Sequence, residues 1–152
     1  MFSTTSKSSY DIQDIYNKMK PDERTNLLFS HSFSGCDTVS GIYGFGKVSI
    51  LHKLPRKKCP QTAIKTFRSL RLSKDEIINT GLTLFQFIYG AVDVSLHQQR
   101  LQLFNKMAAA KGKIVPQKLP PTVAAERDHS LRAYLQYRDW ILQERVWVEK
   151  GR

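Results

Sequence analysis

The sequence predicts a mostly α fold, and three observations carry that expectation. Apolar residues recur at spacings of three, four and seven through most of the chain, as one face of a helix requires. Residues suited to starting helices (Pro21, Ser73, Thr122) and stopping them (Gly35, Pro55) stand at the edges of those stretches. One stretch, from Ile77 to Tyr89, is apolar almost all round, which suits the centre of a helical core. The 152 residues make one ordinary domain, and 41% hydrophobic with 11% aromatic content argues against wholesale disorder.

The elements follow in order. Residues 1–9 are Ser/Thr-rich and are expected to be a flexible tail. Ile12, Ile15, Tyr16 and Met19 mark an amphipathic first helix. Pro21, with Asp22 and Glu23 at the positive end of the helix dipole, opens a second helix. That helix is expected to bury Leu27, Leu28 and Phe33 and to end near Gly35. Val48, Ile50, Leu51 and Leu54 suggest a short helix stopped by Pro55. Cys59 to Leu72 reads as helix, with Ala63, Ile64, Phe67 and Leu70 on one side.

Ser73 and Glu76 fit a capping box, and the helix they start should be the most buried. Leu96 to Ala110 reads as another helix, with Leu101, Phe104 and Met107/Ala108 as its core stripe. Residues 112–121, holding three prolines, form a loop, after which Thr122 can cap a long final helix. On that helix Ala133, Tyr137, Trp140 and Trp147 share a face, as core packing requires. An aromatic face of this kind could also dock a protein partner.

No apolar run is long enough to span a bilayer, and the first residues lack the apolar core of a signal peptide. Cys36 and Cys59 are too few for a disulfide framework or a cysteine zinc site. The expectation is an intracellular chain. His31, His52, His97 and His129 form no close pairs of the kind zinc sites use. Cys36 could act as a nucleophile with His31 as base, but a structural cysteine is the simpler account.

Charge is distributed unevenly. Lys and Arg number 24 against 13 Asp and Glu, a formal net charge of +11. Residues 1–46 hold four basic and five acidic side chains, and residues 74–152 hold twelve and eight. The 27 residues from Lys47 to Ser73 hold eight basic side chains and no acidic one. Such a stretch is either a solvated basic surface or a partner for a polyanion.

Just before it stands Ile42-Tyr43-Gly44-Phe45-Gly46-Lys47-Val48. Two glycines make a tight turn that a phosphate can approach closely, because no Cβ intervenes. The following helix begins there, so its free N–H groups face the same anion. Lys47 adds a charge, and Lys53, Arg56, Lys57 and Lys58 can track further phosphates. Gly44, Phe45, Gly46 and Lys47 are therefore candidate backbone-binding residues, with nothing to read bases. An ordinary tight turn between helices is the alternative.

The segment from Leu27 to Lys47, with Ser34-Gly35-Cys36-Asp37 and then Gly41-Ile42-Tyr43-Gly44-Phe45-Gly46, resembles the PIN-like/flap-endonuclease superfamily. It is similar in particular to uncharacterised invertebrate PIN-like proteins, which also tend to carry a segment like Leu119–Ala125. The match covers residues 10–55, with a looser one to about residue 141. The resemblance implies the helical C-terminal portion of an α/β nuclease fold, with a helix–hairpin–helix and without most of the parallel sheet. It divides the chain into the tail, a nuclease-like segment over 10–72, and a helical region over 73–152 packed on it.

The resemblance also implies roles. Asp37 would supply one ligand to a divalent metal, magnesium or manganese. Gly44, Gly46 and Lys47 would grip duplex backbone, and the hairpin carbonyls could take a monovalent cation. The implied partner is nucleic acid, DNA rather than RNA, and the implied compartment is the nucleus rather than the cytoplasm.

Two-metal chemistry needs several carboxylates around ions about 4 Å apart. Asp11 and Asp14 face away from the first helix's apolar stripe, Asp22 and Glu23 suit capping, and Asp93 is alone. From its residues alone, Asp37 reads as a helix or turn cap. The expectation is sequence-independent DNA binding by a truncated nuclease region that is catalytically incomplete by itself. The alternatives are a metal-dependent nuclease completed by an upstream segment or partner, and a helical interaction module.

Overall fold

The computed structural model describes residues 11–54, 58–90, 93–110 and 113–150, and their side chains except those of Lys53, Lys58, Cys59 and residues 144–150. The tail at 1–9, Arg56, Lys57, and the side chains of Lys53, Lys58 and Trp147 lie outside the described residues. The described chain is mostly helical. In order it forms α1 (Ile12–Lys18), α2 (Pro21–Ser34), α3 (Lys47–Lys53), α4 (Lys58–Phe67), α5 (Lys74–Ile88), α6 (Leu96–Ala109), a 3-10 turn (Pro116–Lys118) and α7 (Val123–Lys150).

Helix starts follow local chemistry. Asp11 Oδ1 accepts from the N–H groups of Gln13 and Asp14 at 2.8 and 3.2 Å. Pro21 occupies the first position of α2, and Glu23 Oε2 accepts the Lys20 N–H at 3.1 Å. Before α5, Ser73 Oγ accepts the Glu76 N–H at 3.3 Å while Glu76 Oε2 accepts the Ser73 N–H at 2.8 Å. Ser95 and Gln98 repeat the same box at α6. Thr122 Oγ1 accepts the Ala125 N–H at the head of α7.

The core is a set of interlocking rings. Phe29 and Phe33 of α2 stack at 5.4 Å, and both meet Phe67 of α4 edge-on. Phe85 of α5 and His129 of α7 close on Phe33, and Tyr134 meets Phe67 edge-on. Offset and edge-on pairs suit the aromatic quadrupole and add to the burial of large apolar faces. Helix α5 packs against α4, α6 and α7, while α2 takes α3 and α7. Ala133 and Tyr137 are buried, as the aromatic spacing on α7 predicts.

Several sequence expectations need correction. The apolar stripe of α1 is not covered: Ile12 is 81% exposed, and Ile15 and Tyr16 are exposed too. Two turns present little area to bury. Instead Arg24 of α2 binds this segment, its Nε and Nη2 donating to the carbonyls of Met19 and Asn17 and its guanidinium lying over Tyr16. On α2 it is Phe29 that joins Phe33 in the core, while Leu27 is exposed. Helix α6 docks through its first turn, burying Leu96 and Gln99, whereas Leu101 and Phe104 are 54% and 41% exposed. The Gln99 amide donates to the Tyr89 carbonyl, so a polar contact fixes that end.

Helix α4 ends at Phe67 rather than near Leu72. The segment beyond it is held by Tyr134, whose hydroxyl donates to the Ser69 carbonyl at 2.8 Å and accepts the Leu72 N–H at 3.1 Å. Among the described residues no helix is long and apolar enough to cross a membrane.

Candidate nucleic-acid interface

Between α2 and α3 the chain makes two tight turns back to back. Gly35 ends α2 with φ +111°, a conformation that side chains disfavour. The first turn closes through Cys36 and Val39, which exchange N–H···O bonds of 2.9 and 3.1 Å. The second closes when the Phe45 N–H donates to Ile42 O at 3.0 Å, with Gly44 at φ +79°. A Cβ on Gly35 would fall 2.5 Å from the Gly41 Cα, so the turns touch through glycine backbone.

Alternation then sorts the residues. Val39 and Ile42 are buried, and Phe45 is half-buried with its ring edge-on to Tyr89. Asp37, Thr38, Ser40, Tyr43, Gly44, Gly46 and Lys47 are exposed. The apolar residues anchor the double turn and leave its polar rim outward.

Gly44 and Gly46 share one property: a Cβ at either would meet nothing within 4 Å. Gly46 has an ordinary φ of −78° and caps α3 with no side-chain bond. The first-turn amides of α3 thus have no side-chain acceptor at the cap. Lys47 does more than carry charge. Its Nζ donates to the Gly35 carbonyl at 3.0 Å, strapping the start of α3 to the end of α2. That places an ammonium on the negative end of the α2 dipole.

The candidate basic residues bracket α3. Lys47 stands at its start and Lys53 at its last position, about 9 Å along the axis at 1.5 Å per residue. Lys58 begins α4, and Arg56 and Lys57 lie outside the described residues. Within α3, His52 Nδ1 lies 2.9 Å from Glu23 Oε1 of α2. The Lys20 N–H bond, more than the nearby His52, draws the Glu23 carboxyl below its ordinary value.

Asp37 is exposed on the first turn. His31 feels Asp37 and Lys47 in opposite senses. Burial first, and then Lys47, pull the His31 imidazole below its usual range. That ring lies on Trp140 of α7, centroids 5.1 Å apart and planes 11° from parallel. Nearby, Thr38 Oγ1 donates to Gln136 Oε1 at 2.5 Å. Helix α7 therefore supports the end of α2 through His31–Trp140 and the first turn through Thr38–Gln136, contacts that spacing alone does not indicate.

Cys36 Sγ meets Thr38 Oγ1 at 3.5 Å, and no hydrogen bond joins it to His31. Among the described residues no three His, Cys, Asp or Glu side chains gather as a metal site would need. Asp37 belongs to no such group, and a divalent ion there would need ligands from outside the described residues.

Comparison of the chain with protein-family models, with curated proteins and with solved structures finds no match.

Proposed function

We propose that the double turn and α3 grip the sugar–phosphate backbone of nucleic acid, DNA rather than RNA, without reading its sequence. One observation carries this reading. The exposed, Cβ-free rim at Gly44 and Gly46 opens a 27-residue stretch with eight basic side chains and no acid. A phosphate can approach such a backbone closely, and neighbouring cations hold it by displacing its counterions. Lys47 spends one of its three N–H donors on Gly35 and keeps two for an anion. The likeness of residues 27–47 to PIN-like/flap-type nucleases supports the same reading. The proposal is of binding; cleavage would need carboxylates beyond Asp37, and any monovalent cation at the turn would add to backbone binding.

Fluorescence anisotropy of labelled duplex, single-stranded and flap DNA at two salt concentrations tests it. Gly46→Asp is the sharpest variant, because aspartate is a favoured helix cap yet sets a negative charge where a phosphate would lie. Wild type should bind, weaken steeply with salt, and lose affinity in Gly46→Asp while melting no earlier. Equal binding by wild type and variant would reduce the glycines to a connection between helices.

A further inference from the structure

Beside the double turn lies a cavity of about 440 Å³, within the roughly 300–1,000 Å³ of small-molecule sites. Tyr43 of the second turn, Phe85 of α5, Tyr89 just after α5, Arg100 of α6, and His129 and Arg132 of α7 all contribute to its lining. Its described lining holds two guanidiniums and no carboxylate. A concave, partly apolar wall concentrates that positive field instead of dispersing it into water.

Two of the polar groups are held by backbone carbonyls. Arg100 Nη1 donates to the Pro120 carbonyl, which holds the guanidinium and leaves further donors. Its charge reaches Tyr89, where it opposes the rise that burial gives the phenol. The Tyr89 ring is itself held edge-on by Phe45 at 5.6 Å. His129 Nε2 lies 2.9 Å from the Phe33 carbonyl, which can only accept, so the proton is on Nε2. Burial, and to a lesser degree Arg132, disfavours the imidazolium, leaving Nδ1 as an acceptor.

We propose that this cavity binds a nucleoside monophosphate, with its planar base among Tyr43, Phe85 and Tyr89 and its phosphate between Arg100 and Arg132. A phosphate monoester carries about −1.5 to −2 charges at neutral pH, so two guanidiniums match it better than they match a singly charged carboxylate ligand. The guanidinium fork also suits phosphate oxygens geometrically. Gly46 and Lys47 line no part of this cavity, so the inference does not rest on backbone binding by the double turn.

Calorimetry of the full chain with adenosine 5′-monophosphate, adenosine and inorganic phosphate tests the site, with Arg132→Gln and Tyr43→Ala as variants. Both residues are exposed, so the variants should melt with wild type. The nucleotide should bind more tightly than adenosine or phosphate, and each variant should weaken it by roughly tenfold or more. A 5′-phosphorylated dinucleotide separates sources: weaker binding than the mononucleotide assigns the site to free nucleotide, tighter binding to a strand end. Absence of binding at millimolar nucleotide overturns the proposal. So does phosphate binding as well as the nucleotide, or a nucleotide affinity that neither variant changes.

Discussion

Gly81 of α5 lies so close to Ser130 of α7 that a methyl group on its Cα would fall 1.8 Å from Ser130 Oγ and 2.5 Å from Ser130 Cβ. The two central helices therefore touch at a point where only hydrogen fits. Gly81→Ala gains helix propensity but forces α5 and α7 apart, and overpacking of this kind costs about 1–3 kcal/mol or more. Urea midpoints should show the loss. Ser130→Gly, destabilising alone, should recover part of it in the double variant, because it removes both obstructing atoms. Additive losses would mean that the contact is not the cause.

Glu126 sits one turn before Ser130, 1% exposed, with Ser130 Oγ donating to its Oε1 at 2.9 Å. Burial pushes its carboxyl from 4.5 up to about 7, against the pull of the Ser130 bond. Between those values the folded chain keeps a proton that the unfolded chain has lost. Stability from this group is complete below about 4.5 and is lost as pH rises through about 7. The loss is on the order of 3 kcal/mol. His129 slopes oppositely, since burial lowers its pKa and stability falls as pH drops below 6.5. Glu126→Gln isolates the carboxyl: it should match wild type near pH 4.5 and melt higher at pH 8. A difference that does not vary with pH would remove Glu126 as the titrating group.

Local chemistry was readable in advance, and its coverage was not. The Ser73/Glu76 box, Pro21 and the stop at Gly35 involve residues within one turn of each other, so spacing suffices to find them. Periodicity says which residues of α1 and α6 share a face, but not whether another helix covers it. Ile12 and Phe104 are exposed for that reason. At the candidate site, the turn at Gly44 could be read from glycine spacing alone. The Lys47–Gly35 strap and the His31–Trp140 stack depend on how α3 and α7 return to the end of α2, which no local pattern specifies. Glu126 and Gly81 escaped notice because a buried acid and a helical glycine look ordinary until their neighbours are known.

Tyr134 is the fastening for the segment after α4. Its hydroxyl serves the Ser69 carbonyl and the Leu72 N–H together, while its ring packs on Phe67. Tyr134→Phe keeps the ring and leaves both backbone groups unpaired, at a cost of about 1–3 kcal/mol. Hydrogen exchange should quicken at the Leu72 amide more than in α5. Uniform acceleration, or none, would locate the segment's support elsewhere.

The glycines of the double turn are separable by their geometry. Gly35 combines φ +111° with a Cβ position 2.5 Å from the Gly41 Cα, so Gly35→Ala must move backbone and should cost about 3 kcal/mol or more. Gly44 has φ +79° but open space, and Gly44→Ala should cost roughly 1–2 kcal/mol of backbone strain alone. Gly46 has neither obstacle, and Gly46→Ala should stay within about 0.5 kcal/mol, the weaker cap offsetting the restricted unfolded chain. Chemical denaturation of the three variants should return that order. A Gly46→Ala loss as large as that of Gly35→Ala would overturn it, because position 46 would then be structural and any effect there on DNA binding could follow from misfolding.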